Sequence, residues 1–140
     1  MCKVENIKVV DLFLGNATFT IENSKTKNRF TFKIKELPKK YANNKEIHFI
    51  SVLSGSDNDS DYRFFGTVFD KNRYSHSKKS KITEDAQSVL VFKYLLSKMN
   101  SALPECINIY HKGKCLRCGR TLTVPESIVS GFGPECIKYV

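Results

Sequence analysis

Four residues toward the end of the chain, His111, Cys115, Cys118 and Cys136, follow the spacing His-x3-Cys-x2-Cys-x17-Cys. A Cys-x2-Cys pair sets two thiolates on one tight knuckle, and donors arriving from further along the chain close a tetrahedron around a cation. Zinc suits this set, because its filled d shell imposes no competing geometry. Gly119, just past the second thiol, lets the knuckle turn at positive φ without steric cost. Four protein donors would leave no coordination position for a reactive water, and no His-x-Glu pair lies upstream. The cofactor read from these residues is therefore one structural Zn2+, and the chain reads as a non-enzyme. His111 is the nearest candidate for the fourth donor, with Cys106, His48 and His76 as the others. A Cys-x2-Cys pair also occurs as a redox couple or as two buried small side chains, which is the competing reading.

The segment that must position Cys136 carries its own signals. In TVPESIVSG, Pro125 suits a first helical position, Glu126 lies in the first turn and Gly131 suits a C-terminal cap. Pro134 then starts a second turn that would carry Cys136 back to the knuckle. Glu126 and Glu135 serve helix-terminal charge and surface polarity in this reading.

Upstream, ATFTIE (17–22) and RFTFKIK (29–35) alternate apolar and polar residues around a polar turn, which predicts a hairpin. Runs at 47–53 and 62–69 follow, and DKNR leads on to Tyr74, so the first eighty residues read as an antiparallel meander of four or five strands. The apolar IKVVDLFL (7–14) suits a strand or a short helix, and its β-branched Ile7, Val9 and Val10 tilt the expectation toward strand. Phe64 and Phe65 are adjacent and should face opposite sides of the sheet. An amphipathic helix is expected over 84–103, capped by Thr83 or Asp85 and ended by Pro104, to lie on the apolar side of the sheet. The stretch DNDSD (57–61) lacks the Gly and Glu of a calcium loop, having Tyr62 and Val68 at those places, and reads as a polar hairpin loop. The expected architecture is α+β: an antiparallel β-sheet covered by one helix (1–105), plus a small C-terminal zinc-knuckle or zinc-ribbon-like module (106–140).

With 23 Lys and Arg against 14 Asp and Glu, the 140-residue chain carries a formal charge of +9. That excess favours polyanions, whether DNA, RNA or an acidic or nucleic-acid-laden protein complex; a solubilising surface is the plain alternative. Lys71, Arg73, Lys78, Lys79 and Lys81 cluster around Tyr74, a pattern that could hold a phosphate backbone while a ring stacks on a base. Lys112, Lys114, Arg117 and Arg120 form a second group on the knuckle. Arg117 lies between the two cysteines and is the first phosphate candidate, whereas Arg120 could equally bond groups within the module. No long apolar run and no secretory signal is seen, so a cytoplasmic protein with no membrane partner is expected. In that reducing compartment clustered cysteines favour metal over disulfides.

The run HKGKCLRCGRTLTVPESIVSGFGPEC resembles the DUF6011 type of zinc-knuckle proteins. The resemblance rests on Cys115, Cys118, Gly119 and Arg120, on Leu122, Thr123, Pro125 and Ser127, and on Gly131, Gly133, Pro134 and Cys136. Phe132 stands where a smaller aliphatic is expected, suggesting an exposed aromatic. The resemblance carries no established activity. It implies a phage or mobile-element origin, where small proteins act on nucleic acids or block host defence systems such as CRISPR effectors. Two functions therefore follow: a non-catalytic zinc-binding protein whose basic surface binds DNA or RNA, or an anti-CRISPR-like inhibitor of a host nucleoprotein effector or other host protein.

Overall fold

The computed structural model describes residues 2–5, 7–55 and 61–140. Seven strands form one sheet: β1 (Cys2–Lys3), β2 (Ala17–Asn23), β3 (Arg29–Glu36), β4 (Ile47–Leu53), β5 (Tyr62–Phe69), β6 (Arg73–His76) and β7 (Ile107–His111). Their order is β1-β7-β2-β3-β4-β5-β6 and every paired neighbour is antiparallel. The meander of four or five strands expected from the alternating runs corresponds to β2 to β6. The sheet also reaches across the expected boundary at 105/106, because β7 pairs with both β1 and β2. The cysteine-rich segment thus hangs directly from a sheet strand. The DNDSD stretch lies, apart from Asp61, outside the described residues.

Alternation decides the two faces. Phe19, Ile21, Phe32, Ile34, Ile50, Val52, Val68 and Ile109 turn to one side and are buried. That side is covered by α1 (Gln87–Ser97) through Val89, Phe92 and Leu95, and the Phe92 ring meets those of Phe13, Phe32, Phe65 and Tyr74 at centroid distances of 5.5–6.5 Å. A bulge between Ile50 and Ser51 sets Phe65 into the core while Phe64 remains exposed on the other face, the separation expected of adjacent strand residues.

Two expectations are corrected. Residues 7–14 do not form a strand; Val9–Phe13 is a 3-10 helix. Its β-branched residues are overruled by a local device: the Lys8 amide donates to Asp11 Oδ2 at 3.1 Å and the Asp11 amide to the Lys8 carbonyl at 3.0 Å. Val9, Leu12 and Phe13, on one side of that turn, are then buried against the sheet. The covering helix is shorter than 84–103. It starts at Gln87 with Ala86 as an N-cap lacking a side-chain bond, because the Thr83 hydroxyl donates to Asp85 at 2.5 Å instead. It stops at Lys98, six residues before Pro104.

Among the described residues no helix is long and apolar enough to cross a membrane.

Candidate metal centre and basic surface

The knuckle is a small hairpin. The Cys115 amide donates to the Arg120 carbonyl, the Gly119 amide to the Cys115 carbonyl and the Leu122 amide to the Gly113 carbonyl, all at 2.8–2.9 Å. Gly119 takes the positive φ that its position predicted. Pro125 opens α2 (Pro125–Ser130) and Gly131 closes it in the left-handed conformation, also as predicted. The following turn, Cys136–Tyr139, carries the third sulfur. Leu116, between the two knuckle cysteines, is buried, and its amide donates to the Gly131 carbonyl at 2.8 Å. Phe132 is buried as well, contrary to the expected exposed aromatic: the turn after Gly131 points its ring into the core.

Cys115, Cys118 and Cys136 meet with their sulfurs all within 4.8 Å of one another. Cys115 and Cys136 are buried and Cys118 is exposed. Burial alone would raise the Cys115 thiol, but the amides of Cys118, Gly133 and Arg117 are directed at its sulfur and bring it down to about 7. Cys136 is raised by burial, against a hydrogen bond from Arg117 and with the neighbouring sulfurs adding to the rise. The amides thus favour the thiolate at Cys115, whereas burial favours the thiol at Cys136. Three sulfurs so placed could hold a metal ion, and the chemistry of the donors fits a thiophilic cation.

The expected fourth donor, His111, is not brought into this group. Its ring is buried, Nδ1 accepts from the Gly113 amide at 2.8 Å, and Nε2 donates to the Ile128 carbonyl at 2.6 Å. The imidazole ties the knuckle to α2 and has both nitrogens engaged. His76 is likewise held by Tyr74 Oη and the Ile82 carbonyl. His48 bonds the Phe13 carbonyl, and Cys106, whose carbonyl accepts from the Ser24 amide, lies at the far end of β7.

The basic residues fall into four situations. Lys78, Lys79, Lys81, Lys114 and Arg120 are exposed. Lys71 pairs with Glu46 at 3.4 Å, and Arg73 lies over the Phe69 ring at 4.5 Å. Arg117 turns inward: its Nη1 lies 3.5 Å from Cys136 Sγ and its guanidinium 3.7 Å from the Tyr139 ring centroid. Tyr74, expected as a stacking platform, instead packs under α1 against Phe65 and Phe92, and burial raises its phenol. Lys112 reaches across the sheet to Tyr62 Oη at 3.2 Å. The sequence reading passed over Lys33, Lys35 and Tyr62. The signal was present, since the alternation that buries Phe32 and Ile34 sends Lys33 and Lys35 to the opposite face.

The class defined by these features is an antiparallel sheet carrying a three-cysteine knuckle. Residues 109–140 match the model of DUF6011, a family of unknown function, so the match begins within β7 and covers the whole knuckle. No curated protein and no solved structure matches the chain.

Proposed function

We propose that Cys115, Cys118 and Cys136 hold one structural zinc ion, and that the protein is a non-catalytic binder of nucleic acid. The zinc reading is supported by a donor set made of thiols alone and by the amides directed at Cys115, an arrangement that favours a soft divalent cation. With His111 engaged elsewhere, three protein donors leave a fourth coordination position, so the non-catalytic reading rests on the all-thiol donor set and not on a closed shell; when bound, the metal would supply shape rather than chemistry. It would fix the hairpin on which the exposed Lys114 and Arg120 stand, and this rigid display of cations on a chain of formal charge +9 is the observation that carries the nucleic-acid reading.

The test is fluorescence anisotropy of labelled DNA and RNA oligonucleotides with metal-loaded protein across a salt series. Binding should weaken linearly in log–log form as salt rises. Absence of binding at low salt would overturn the reading. Exchanging Cys115 and Cys118 together for serine should remove the metal and unfold residues 111–140; unchanged metal content by elemental analysis would refute the zinc assignment.

A second reading, a phage-derived inhibitor of a host nucleoprotein effector or other host protein, is favoured by one observation. Leu90 and Tyr94 of α1 are 53% and 40% exposed and border an apolar groove of about 370 Å³ with Phe30 and Ile107. Such a groove suits a protein partner. A tagged pull-down from host lysate separates the two: recovery of a stoichiometric partner that survives nuclease treatment favours the inhibitor.

A further inference from the structure

We infer that the sheet face opposite α1 is a platform for single-stranded RNA; this rests on the nucleic-acid reading above and names its surface and substrate. The face is built by the strand pleat. Lys33 and Lys35 on β3 point away from the core because Phe32 and Ile34 point into it, and the bulge that buries Phe65 leaves Phe64 43% exposed on the same side as its cross-strand partner Ser51. Phe64 is held edge-on by Phe49, with ring centroids 5.9 Å apart and planes at 76°. A ring fixed in this way loses little freedom when a base stacks on it.

The charges are arranged around that ring system. Lys33 Nζ lies 4.1 Å from the Tyr62 ring centroid, and Lys112 Nζ, on the residue that follows β7, reaches the Tyr62 hydroxyl on β5. Lysine and tyrosine therefore lie across the face and bring ammonium groups beside the aromatic surface. The acid on this face of β2, Glu22, is paired with Arg29 at 3.4 Å and accepts from Tyr110 Oη at 3.3 Å, so its charge is offset locally. Among the described residues, the cations and rings of this face are complementary to a phosphate backbone with bases splayed onto rings. A duplex keeps its bases stacked inside and has no use for Phe64. Ser51 and Thr67 place hydroxyls on the same face, groups able to bond a ribose 2′-OH, which favours RNA over DNA.

The test uses the full metal-loaded chain and three labelled probes: a single-stranded RNA, the single-stranded DNA of the same sequence, and the corresponding duplex. Single-stranded RNA should bind tightest. Phe64→Ala should weaken it on the order of tenfold, with Phe64→Trp restoring binding, and Lys35→Glu should lower the slope of log affinity against log salt by about one. Both positions are exposed, so circular dichroism should be unchanged. If the wild type binds RNA but these variants bind equally well, while Lys78→Glu with Lys79→Glu loses binding, the surface is misplaced and the nucleic-acid reading survives. Tighter binding of DNA or duplex overturns the choice of RNA. No binding of any probe by the wild type overturns both readings.

Discussion

Arg117 Nη1 stands 3.5 Å from Cys136 Sγ. The contact is backed on both sides: the same guanidinium stacks over Tyr139, and the Arg117 carbonyl accepts from the Asn16 amide at 2.8 Å where the absence of a side chain on Gly15 allows the approach. An added Cβ on Gly15 would lie 2.3 Å from that carbonyl oxygen. A residue that composition would assign to phosphate binding is thus placed to offset thiolate charge.

Removing a hydrogen bond to a metal-ligating group commonly lowers metal affinity ten- to a hundredfold. Arg117→Ala should weaken zinc by about that factor in competition with a chromophoric chelator, whereas Arg120→Ala, at an exposed position, should leave affinity within about twofold. Equal affinities for the two variants would show that the guanidinium contributes nothing to the site.

The position of His111 leads to a second expectation. Because Nδ1 and Nε2 are both spent on backbone groups, His111→Ala should keep one metal ion per chain while losing stability, with two buried bonds forfeited at a cost of about 1–3 kcal/mol for each group left unpaired. Metal stoichiometry by mass spectrometry and a urea titration measure the two effects separately. Loss of the metal with the fold intact would make the imidazole a ligand after all.

The sequence disclosed the sheet and the knuckle for the same reason: both are written in short-range patterns. Alternation at 29–35 and 47–53 fixes which side chains are buried, and Cys-x2-Cys-Gly fixes a turn. What escaped depends on contacts distant in sequence. His111 has the right type and spacing for a ligand, but its role is decided by the Ile128 carbonyl, seventeen residues on. The Lys8–Asp11 cap is the local exception, a contact three residues apart that outweighs the β-branched Ile7, Val9 and Val10, whereas the burial of Tyr74 follows from Phe92 on α1. Neither basic cluster read from the sequence includes Lys33 or Lys35, because cations spaced two apart on a strand look sparse until the strand is placed in a sheet.

Gly66 offers a direct test of packing beneath α1. A Cβ there would lie 2.4 Å from Tyr74 Cε1, inside any tolerable contact. Gly66→Ala should therefore cost about 1–3 kcal/mol from overpacking. Tyr74→Phe should cost only about 1 kcal/mol through the lost bond to His76 Nδ1, 2.7 Å away. Pairing Gly66→Ala with Tyr74→Leu should recover part of the loss, and strictly additive effects in urea denaturation would rule out the clash.

His48 should make the fold sensitive to mild acid. It is fully enclosed, with Nε2 3.0 Å from the Phe13 carbonyl and Nδ1 buried without a partner, so Nε2 carries the proton in the neutral ring. Burial lowers its pKa from the ordinary 6.5, although Glu36, with Oε2 3.8 Å away, acts in the opposite sense. The unfolded chain therefore takes up the proton at a higher pH than the folded one, and the stability contributed by the neutral ring is complete above 6.5 and is lost as pH falls through the depressed folded value. The slope can reach at most about 1.4 kcal/mol per pH unit for one proton. Urea midpoints of metal-saturated protein between pH 7.5 and pH 5, on the order of the window set by that reference value, should fall for the wild type. They should fall less for His48→Leu, whatever the variant's stability at neutral pH. Thiolate protonation at the knuckle also weakens the protein in acid, but it is common to both chains, so the difference between their slopes isolates the histidine. Identical slopes would mean that the buried imidazole does not titrate in this range.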